Sequence, residues 1–127
     1  MIDNRAFYGC TALQTVKTTR TLTSIGSKAF YNCKKLKSYT IGKYVNKIGS
    51  YAFYNCKKLK KITLSESVEI VEKKAFYQCS GLKKVSIKTM KLIKVGSGAF
   101  KKCNKTLKFT VPAKKKKAYT KLLKGKS

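Results

Sequence analysis

The chain has 127 residues, enough for one domain, and 43% of them are hydrophobic, enough for a packed core. The chain has 31 lysine and arginine residues against four acidic residues, and this formal charge of +27 favours polyanionic partners. Only Arg5 and Arg20 are arginine, the residue preferred for bidentate recognition of bases and phosphates. Histidine is absent, so we expect no histidine-based chemistry. No apolar run approaches the ~18 residues of a membrane span, so we expect no transmembrane segment. Residues 1–4 lack signal-peptide features, so we expect no signal peptide within the chain.

Five cysteines mark a repeat of about 23 residues. The first four are 23 residues apart, and the fifth follows 24 residues later. Around each cysteine the same sequence pattern recurs, as in Lys28-Ala-Phe-Tyr-Asn-Cys-Lys-Lys-Leu36, and the last copy carries one inserted residue. Self-similarity at this period is typical of a leucine-rich repeat solenoid. The cysteines are Cys10, Cys33, Cys56, Cys79 and Cys103.

Each repeat predicts one short helical turn and one short strand. Gly-Ser, as at 26–27, is typical of a turn followed by a helix N-cap, and Ala29 and Cys33 would share one face of the helical turn. The chain is apolar six residues after each cysteine and, except at Thr18, again eight residues after it, as at Ile62 and Leu64. A polar residue stands between the two positions, which is the alternation of a strand. We therefore predict an α/β repeat solenoid with one parallel sheet whose strands lie about 4.8 Å apart.

The residues that recur around the cysteines predict the core. A phenylalanine precedes each cysteine by three positions, and a leucine follows it by three or four. An apolar pair in the return segment that leads to the next repeat, such as Leu22 and Ile25, completes this core. The recurring core positions are Phe7, Phe30, Phe53, Phe76 and Phe100, the five cysteines, and Leu13, Leu36, Leu59, Leu82 and Leu107.

The C-terminal residues, 112–127, predict a capping helix and a basic tail. Pro112 suits the first turn of a helix, and the apolar residues after it have helical spacing, so this helix would cover the open end of the solenoid. The repeat array is then 1–111, about five repeats. Because Ile2 has the register of Ile25, the array begins in the middle of a repeat, and we expect a fragment of a longer array. The helix-spaced residues are Ala118, Tyr119, Leu122 and Leu123.

The repeat text resembles the BspA-like class of leucine-rich repeats. The resemblance rests on Ile-Gly-Ser-x-Ala-Phe-Tyr-Asn-Cys-Lys-Lys-Leu-Lys-x-Ile-Thr-Leu, read from Ile48 to Leu64, and it covers nearly the whole chain. It implies a cell-surface or secreted bacterial protein that adheres to host proteins, cells or other microbes. It names no ligand and carries over no binding residue.

The cysteines are expected to be buried, reduced packing residues. Stacked one repeat apart, they lack the converging geometry that a disulfide or a tetrahedral metal site needs. A catalytic thiolate needs a base, and the chain has no histidine. We therefore predict no catalytic residue, no metal and no cofactor.

Tyrosines two residues before four of the cysteines and the lysines in register around them form the candidate binding surface. The tyrosines either stack on bases or sugars or stack on one another, and the lysine stripes either remain solvated or bind a linear polyanion. An ion pair between Glu66 and Lys43 of the neighbouring repeat is also expected. The candidate residues are Tyr8, Tyr31, Tyr54 and Tyr77, with Lys34, Lys35, Lys57, Lys58, Lys61, Lys84 and Lys108.

These observations predict a non-catalytic interaction or adhesion module. Its partner would be a protein or glycan, for example from a host, bound through one face of the repeats. The alternative is a general polyanion binder that uses the lysine stripes for nucleic acid or anionic glycan. The two differ in their response to salt, because charge-driven complexes weaken steeply as salt rises.

Overall fold

The computed structural model describes all residues, 1–127, as a solenoid of short parallel strands that ends in a helix. The solenoid, its parallel strands and its C-terminal helix confirm the predicted class. The strands are β1 (Ser24–Ile25), β2 (Lys47–Ile48), β3 (Lys61–Leu64), β4 (Ile70–Val71), β5 (Lys84–Ile87), β6 (Lys94–Val95) and β7 (Lys108–Thr110); helix α1 (Lys116–Leu123) follows a 3-10 turn at Ala113–Lys115.

The solenoid carries two parallel ladders, so the expectation of a single sheet is wrong. The predicted strand forms the ladder β3-β5-β7, and the return segment forms a second one, β1-β2-β4-β6. An isolated bridge from Ile25 to Ile2 extends the second ladder toward the N-terminus, and a separate bridge joins Thr15 to Ser38 at the strand position of the first two repeats. The second ladder arises because each return segment has one extended, inward-facing residue, such as Ile48, which pairs with its equivalent one repeat away.

The segment predicted as a helical turn is instead a run of tight turns. The N–H of Tyr31 donates to the carbonyl of Lys28, three residues earlier (3.2 Å), whereas the N–H of Phe30 donates to the carbonyl of Ala52 in the next repeat (2.7 Å). Lys28 and Asn32 have left-handed backbones, with φ of 57° and 61°. An α-helix would use all these amides internally, so bonding to the next repeat excludes it.

Stacked phenylalanines form the centre of the core. Phe30, Phe53, Phe76 and Phe100 are fully or almost fully buried, and consecutive rings lie nearly parallel with centroids 5.0–5.2 Å apart. Phe7, at the end of the stack, has a ring neighbour on one side only and is half-buried. The cysteines and leucines show the same pattern: the central copies are buried and the first and last are partly exposed.

The C-terminal residues continue the hydrogen bonding of the last repeat. Tyr119 of α1 is 1% exposed, and its hydroxyl donates to the carbonyl of Thr89 (2.7 Å) and accepts from the N–H of Leu92 (3.2 Å). The N–H of Phe100 donates to the carbonyl of Lys126 (2.8 Å), the role that an alanine of the next repeat has elsewhere. Leu122 and Leu123 are half-buried, whereas Ala118 is exposed.

Side-chain amides form a short ladder beside the tight turns. Asn55 donates from Nδ2 to Oδ1 of Asn32 at 2.9 Å, and Gln78 stands at the same position one repeat further on. The Oδ1 atom of Asn55 is buried and has no donor. Gln78 has a left-handed backbone (φ 60°), which asparagine adopts more readily than glutamine does.

Removal of one central ring should unfold the chain more easily. Phe53→Ala is expected to lower the free energy of unfolding by about 3–5 kcal/mol, because it opens a cavity between two stacked neighbours. Phe7→Ala, at a half-buried end of the same stack, should lower it by clearly less. Urea denaturation followed by circular dichroism compares the two variants, and equal losses would contradict the proposed role of the central stack.

Extension of the amide ladder should stabilise the chain. Gln78→Asn is expected to raise the free energy of unfolding by about 1 kcal/mol, since the Nδ2 atom of the introduced asparagine would reach the unpaired Oδ1 of Asn55. Gln78→Ala is the control and should give no gain. The gain of Gln78→Asn should also vanish in a chain that carries Asn55→Ala, and its persistence there would show that the amide contact is not its cause.

Candidate functional site

The cysteines form a ladder of buried thiols. In Cys33, Cys56, Cys79 and Cys103 the Sγ atom donates to the carbonyl of the phenylalanine one repeat earlier, at 3.0–3.3 Å. Burial raises the pKa of Cys33 to about 11 and that of Cys103 to about 12, and it also raises the pKa of Cys56 and of Cys79. All five cysteines are free. These protonated thiols therefore act as hydrogen-bond donors inside the solenoid.

The acidic residues form no cluster with the thiols. No group of three or more Cys, Asp or Glu side chains is placed to hold a metal ion. Glu72 accepts ion pairs from Lys94 at 3.1 Å and Lys47 at 3.6 Å, one on either side of it along the second ladder. Glu66 is exposed and forms no ion pair, so the expected pairing with Lys43 is wrong.

Four tyrosines form a continuous stack on the surface of the turns. Tyr8–Tyr31, Tyr31–Tyr54 and Tyr54–Tyr77 have ring centroids 4.6–5.3 Å apart and interplanar angles of 4–9°. Tyr51 packs at a tilt against Tyr31 and Tyr54. Burial, and then the neighbouring Tyr54 and Tyr8 hydroxyls, raise the pKa of Tyr31. These five tyrosines and the cations over them are called the tyrosine strip below.

The cations that lie over the tyrosine rings are outside the candidate set drawn from the sequence. Arg5 lies 5.5 Å from the centroid of Tyr8, and Lys74 lies 5.1 Å from that of Tyr77. Lys28 and Lys102 lie over rings at 5.7–5.9 Å. The predicted neighbours are exposed but do not lie over any of these rings; they are Lys34, Lys35, Lys57 and Lys58.

Most of these cations share one position of the sequence repeat. Arg5, Lys28, Tyr51 and Lys74 all stand five residues before a cysteine, and all have left-handed backbones with φ between 51° and 60°. The residue directly before each cysteine is also left-handed, and Gly or Asn at three of the five copies is the usual signal for that conformation. Four of the left-handed residues, Arg5, Lys28, Lys74 and Lys102, are the cations that lie over the tyrosine rings.

Stacking leaves the tyrosine edges and hydroxyls available and covers most of the ring faces. Each inner ring has a tyrosine on both sides, and Tyr77 has Tyr54 on one side and the cations Lys74 and Lys102 nearby. Of the tyrosines in the strip, Tyr8 is the most exposed, at 47%. Of the two alternatives, the structure therefore shows tyrosines stacked on one another.

Lysines occupy a different surface, the outer side of β3-β5-β7. Lys61, Lys84 and Lys108 are paired directly across the three strands and are exposed. Lys37, Lys58 and Lys60 line an open groove of about 390 Å³. Lys61, Lys84 and Lys108 are called the lysine face below, and none of them forms an ion pair.

Comparison with known proteins assigns the repeats. The family model for the BspA-type leucine-rich repeat region matches residues 1–127, with six copies. The chain belongs to the BspA-type leucine-rich repeat family. Leucine-rich repeat families and folds are typically non-catalytic, and this one indicates a protein-interaction module.

Solved structures of bacterial leucine-rich repeat proteins are similar to this BspA-type chain. They include the T. pallidum leucine-rich repeat protein (30% identity, TM-score 0.79, 84% of this chain and 49% of that one) and one from Bacteroides ovatus (26%, 0.71, 84% and 32%). A leucine-rich cell surface protein from Faecalibacterium prausnitzii is also similar (25%, 0.69, 87% and 36%). The chain thus spans about half of the first of these proteins and about a third of the other two. The comparison with curated proteins gives no match.

No helix of this BspA-type chain has the length and apolar character needed to cross a lipid bilayer.

Thiol reactivity tests the buried cysteine ladder. With Ellman's reagent at about pH 8, we expect Cys10 to react first and Cys33, Cys56 and Cys79 to stay unreactive until the chain unfolds, since burial shields them and raises the pKa of each. Mass spectrometry of the labelled peptides identifies the order. Equal reaction of all thiols in the native state would exclude the ladder.

Proposed function

We propose that this chain is a non-catalytic interaction module of a bacterial cell-surface or secreted protein, and that it binds a protein ligand through the tyrosine strip. The observation that carries this proposal is the tyrosine stack itself, in which centroids 4.6–5.3 Å apart extend over four repeats with an arginine and lysines over the rings. The similar F. prausnitzii protein, described as a cell surface protein, supports the location.

The composition of the tyrosine strip suits a protein partner. Tyrosine and arginine are enriched among the residues that contribute most to protein–protein binding. A tyrosine has few side-chain torsions, and here stacking already restrains them, so little conformational entropy is lost when a partner binds. The hydroxyls and cations supply directional polar contacts at the margin of this aromatic surface.

Binding to host cells tests the strip. The labelled chain should bind cultured epithelial cells, and trypsin treatment of the cells should abolish the binding if the ligand is a protein. Tyr31→Ala with Tyr54→Ala should weaken binding at least ~10-fold, because it removes two central rings. Tyr44→Ala, which removes a 53% exposed tyrosine outside the strip, is the matched control and should leave binding unchanged.

A conservative pair separates contact from folding. Tyr31→Phe with Tyr54→Phe keeps both stacked rings and removes only the hydroxyls, so it should fold normally and lose part of the affinity. Raising NaCl from about 0.15 to 0.5 M should change the affinity little, since short-range contacts are weakly screened. Full binding by the double alanine variant would refute this function.

General polyanion binding is the second candidate function. The observation that favours it is the absence of any ion pair on the lysine face, in a chain of formal charge +27. A complex of this kind loses affinity steeply as salt rises, which distinguishes it from binding through the tyrosine strip.

A further inference from the structure

We propose that the lysine face binds a linear acidic polysaccharide that runs along the solenoid axis, across the strands β3-β5-β7. This inference rests on the proposed function of the chain as an interaction module and assigns it a second surface with its own class of ligand. Three features of the face carry it, namely the spacing of its ammonium groups, a row of hydroxyls beside them, and the lack of neutralising acids.

The ammonium groups repeat at the spacing of the strands. Lys61 pairs with Lys84, and Lys84 with Lys108, in consecutive parallel pairings. Neighbouring strands lie about 4.8 Å apart, so the positions that carry these three ammonium groups recur at that interval. Lys60 and Lys83 follow the same progression, because the N–H of Lys83 donates to the carbonyl of Lys60 at 2.9 Å. The face therefore presents rows of positive charge to a polymer lying along the axis.

A row of hydroxyls lies directly beside this row of charge. Thr63, Ser86 and Thr110 are paired across the same three strands, two residues after each lysine, so they share the outer side of the sheet. None of these hydroxyls forms a hydrogen bond within the chain. Each can both donate and accept, which matches the hydroxyls of a sugar unit.

The positive charge of the face is not neutralised by the protein. Both ion pairs of the chain use Glu72, which lies on the return segment and pairs with Lys47 and Lys94 of the second ladder. Like charges one strand apart repel, and a bound polyanion removes that repulsion. A ligand with anionic groups along its length is the complementary partner.

The observations favour a polysaccharide over a nucleic acid. Single-stranded nucleic acids are bound by stacking their bases on aromatic faces, and the tyrosine rings of this chain are mostly covered by one another. The cations of the face are all lysine, which meets anions as a point charge, whereas arginine provides bidentate recognition of bases and phosphates. A row of ammonium groups beside a row of hydroxyls is suited to a chain of charged sugars.

Fluorescence titration across a salt series tests the face. The probes are heparin for sulfate, polygalacturonate for carboxylate, neutral dextran as a blank, and poly(dT) for nucleic acid. The variant Lys61→Gln, Lys84→Gln, Lys108→Gln should bind the two acidic glycans about 30- to 100-fold more weakly near physiological salt, with a salt slope smaller by about 1 per lysine. Its matched control is Lys73→Gln, Lys91→Gln, Lys121→Gln, which removes the same charge from exposed, unpaired lysines of the return segments and helix α1 and should weaken binding much less. Equal losses in both variants would overturn the assignment of the face.

The hydroxyl row has a separate readout. Thr63→Val, Ser86→Ala, Thr110→Val removes the three hydroxyls and keeps the charge, so it should weaken glycan binding about 10-fold with an unchanged salt slope and leave poly(dT) unaffected. Circular dichroism confirms that each variant folds. Tighter binding of poly(dT) than of either glycan, or no effect of the hydroxyl variant, would overturn the polysaccharide assignment.

The two proposals fail separately. Trypsin-sensitive cell binding that survives the three-lysine substitution supports the tyrosine strip alone, whereas glycan binding that survives the Tyr31 and Tyr54 substitutions supports the lysine face alone. Failure of both acidic glycans to bind at low salt would overturn the lysine-face inference without affecting the protein-binding test.

Discussion

Hydrogen bonding between successive repeats is the constraint on which the rest of the molecule depends. The N–H of Phe7, Phe30, Phe53 and Phe76 each donates to the carbonyl of the alanine one repeat later, at 2.7–2.8 Å. Every side chain therefore lies about one strand spacing from its equivalent in the next repeat. Each position of the repeat forms a column of equivalent residues, and the interior of the solenoid accepts only residue types whose side chains can pack against a copy of themselves. Phenylalanine does so by stacking, and asparagine does so by donating an amide N–H to the amide oxygen of the asparagine one repeat earlier. Cysteine does so because its thiol donates to the phenylalanine carbonyl of the preceding repeat rather than to another cysteine.

The sequence predicts well which residues form columns, because residues that recur at the repeat period stack on one another in the solenoid. The period gave the solenoid, and the inward positions Phe53, Cys56 and Leu59 followed from their recurrence. The second ladder was missed because its strands are two residues long and show no alternation to detect. The tight turns were misjudged because the spacing of Ala29 and Cys33 suits a helix equally well. What decides between them is the bond from Phe30 to the next repeat, a contact with another part of the chain that local patterns do not contain.

For the candidate surface, too, the sequence predicts which residues form a column but not which columns lie side by side. That the tyrosines form a column, and that Lys61, Lys84 and Lys108 form another, could be read from register alone. Which columns lie beside each other could not, because that depends on the backbone directions at the left-handed residues. Those residues place Arg5, Lys28 and Lys74 over the tyrosines. The four tyrosines and the lysines Lys61, Lys84 and Lys108, which were grouped as one candidate surface, therefore lie on two surfaces, one aromatic with cations over its rings and one cationic with hydroxyls.

These two surfaces would gain affinity in different ways as repeats are added. On the lysine face each further strand adds one ammonium group at a fixed interval along a polymer, so the number of counterions released on binding grows with the number of repeats. A protein ligand has a surface of limited size, and its affinity is dominated by a few central side chains. The contribution of the tyrosine strip to affinity therefore stops growing once the repeats span the protein ligand, whereas the contribution of the lysine face keeps growing with each added repeat. A solenoid is suited to combine the two because its columns are parallel, so one more repeat extends both surfaces without changing the geometry of either.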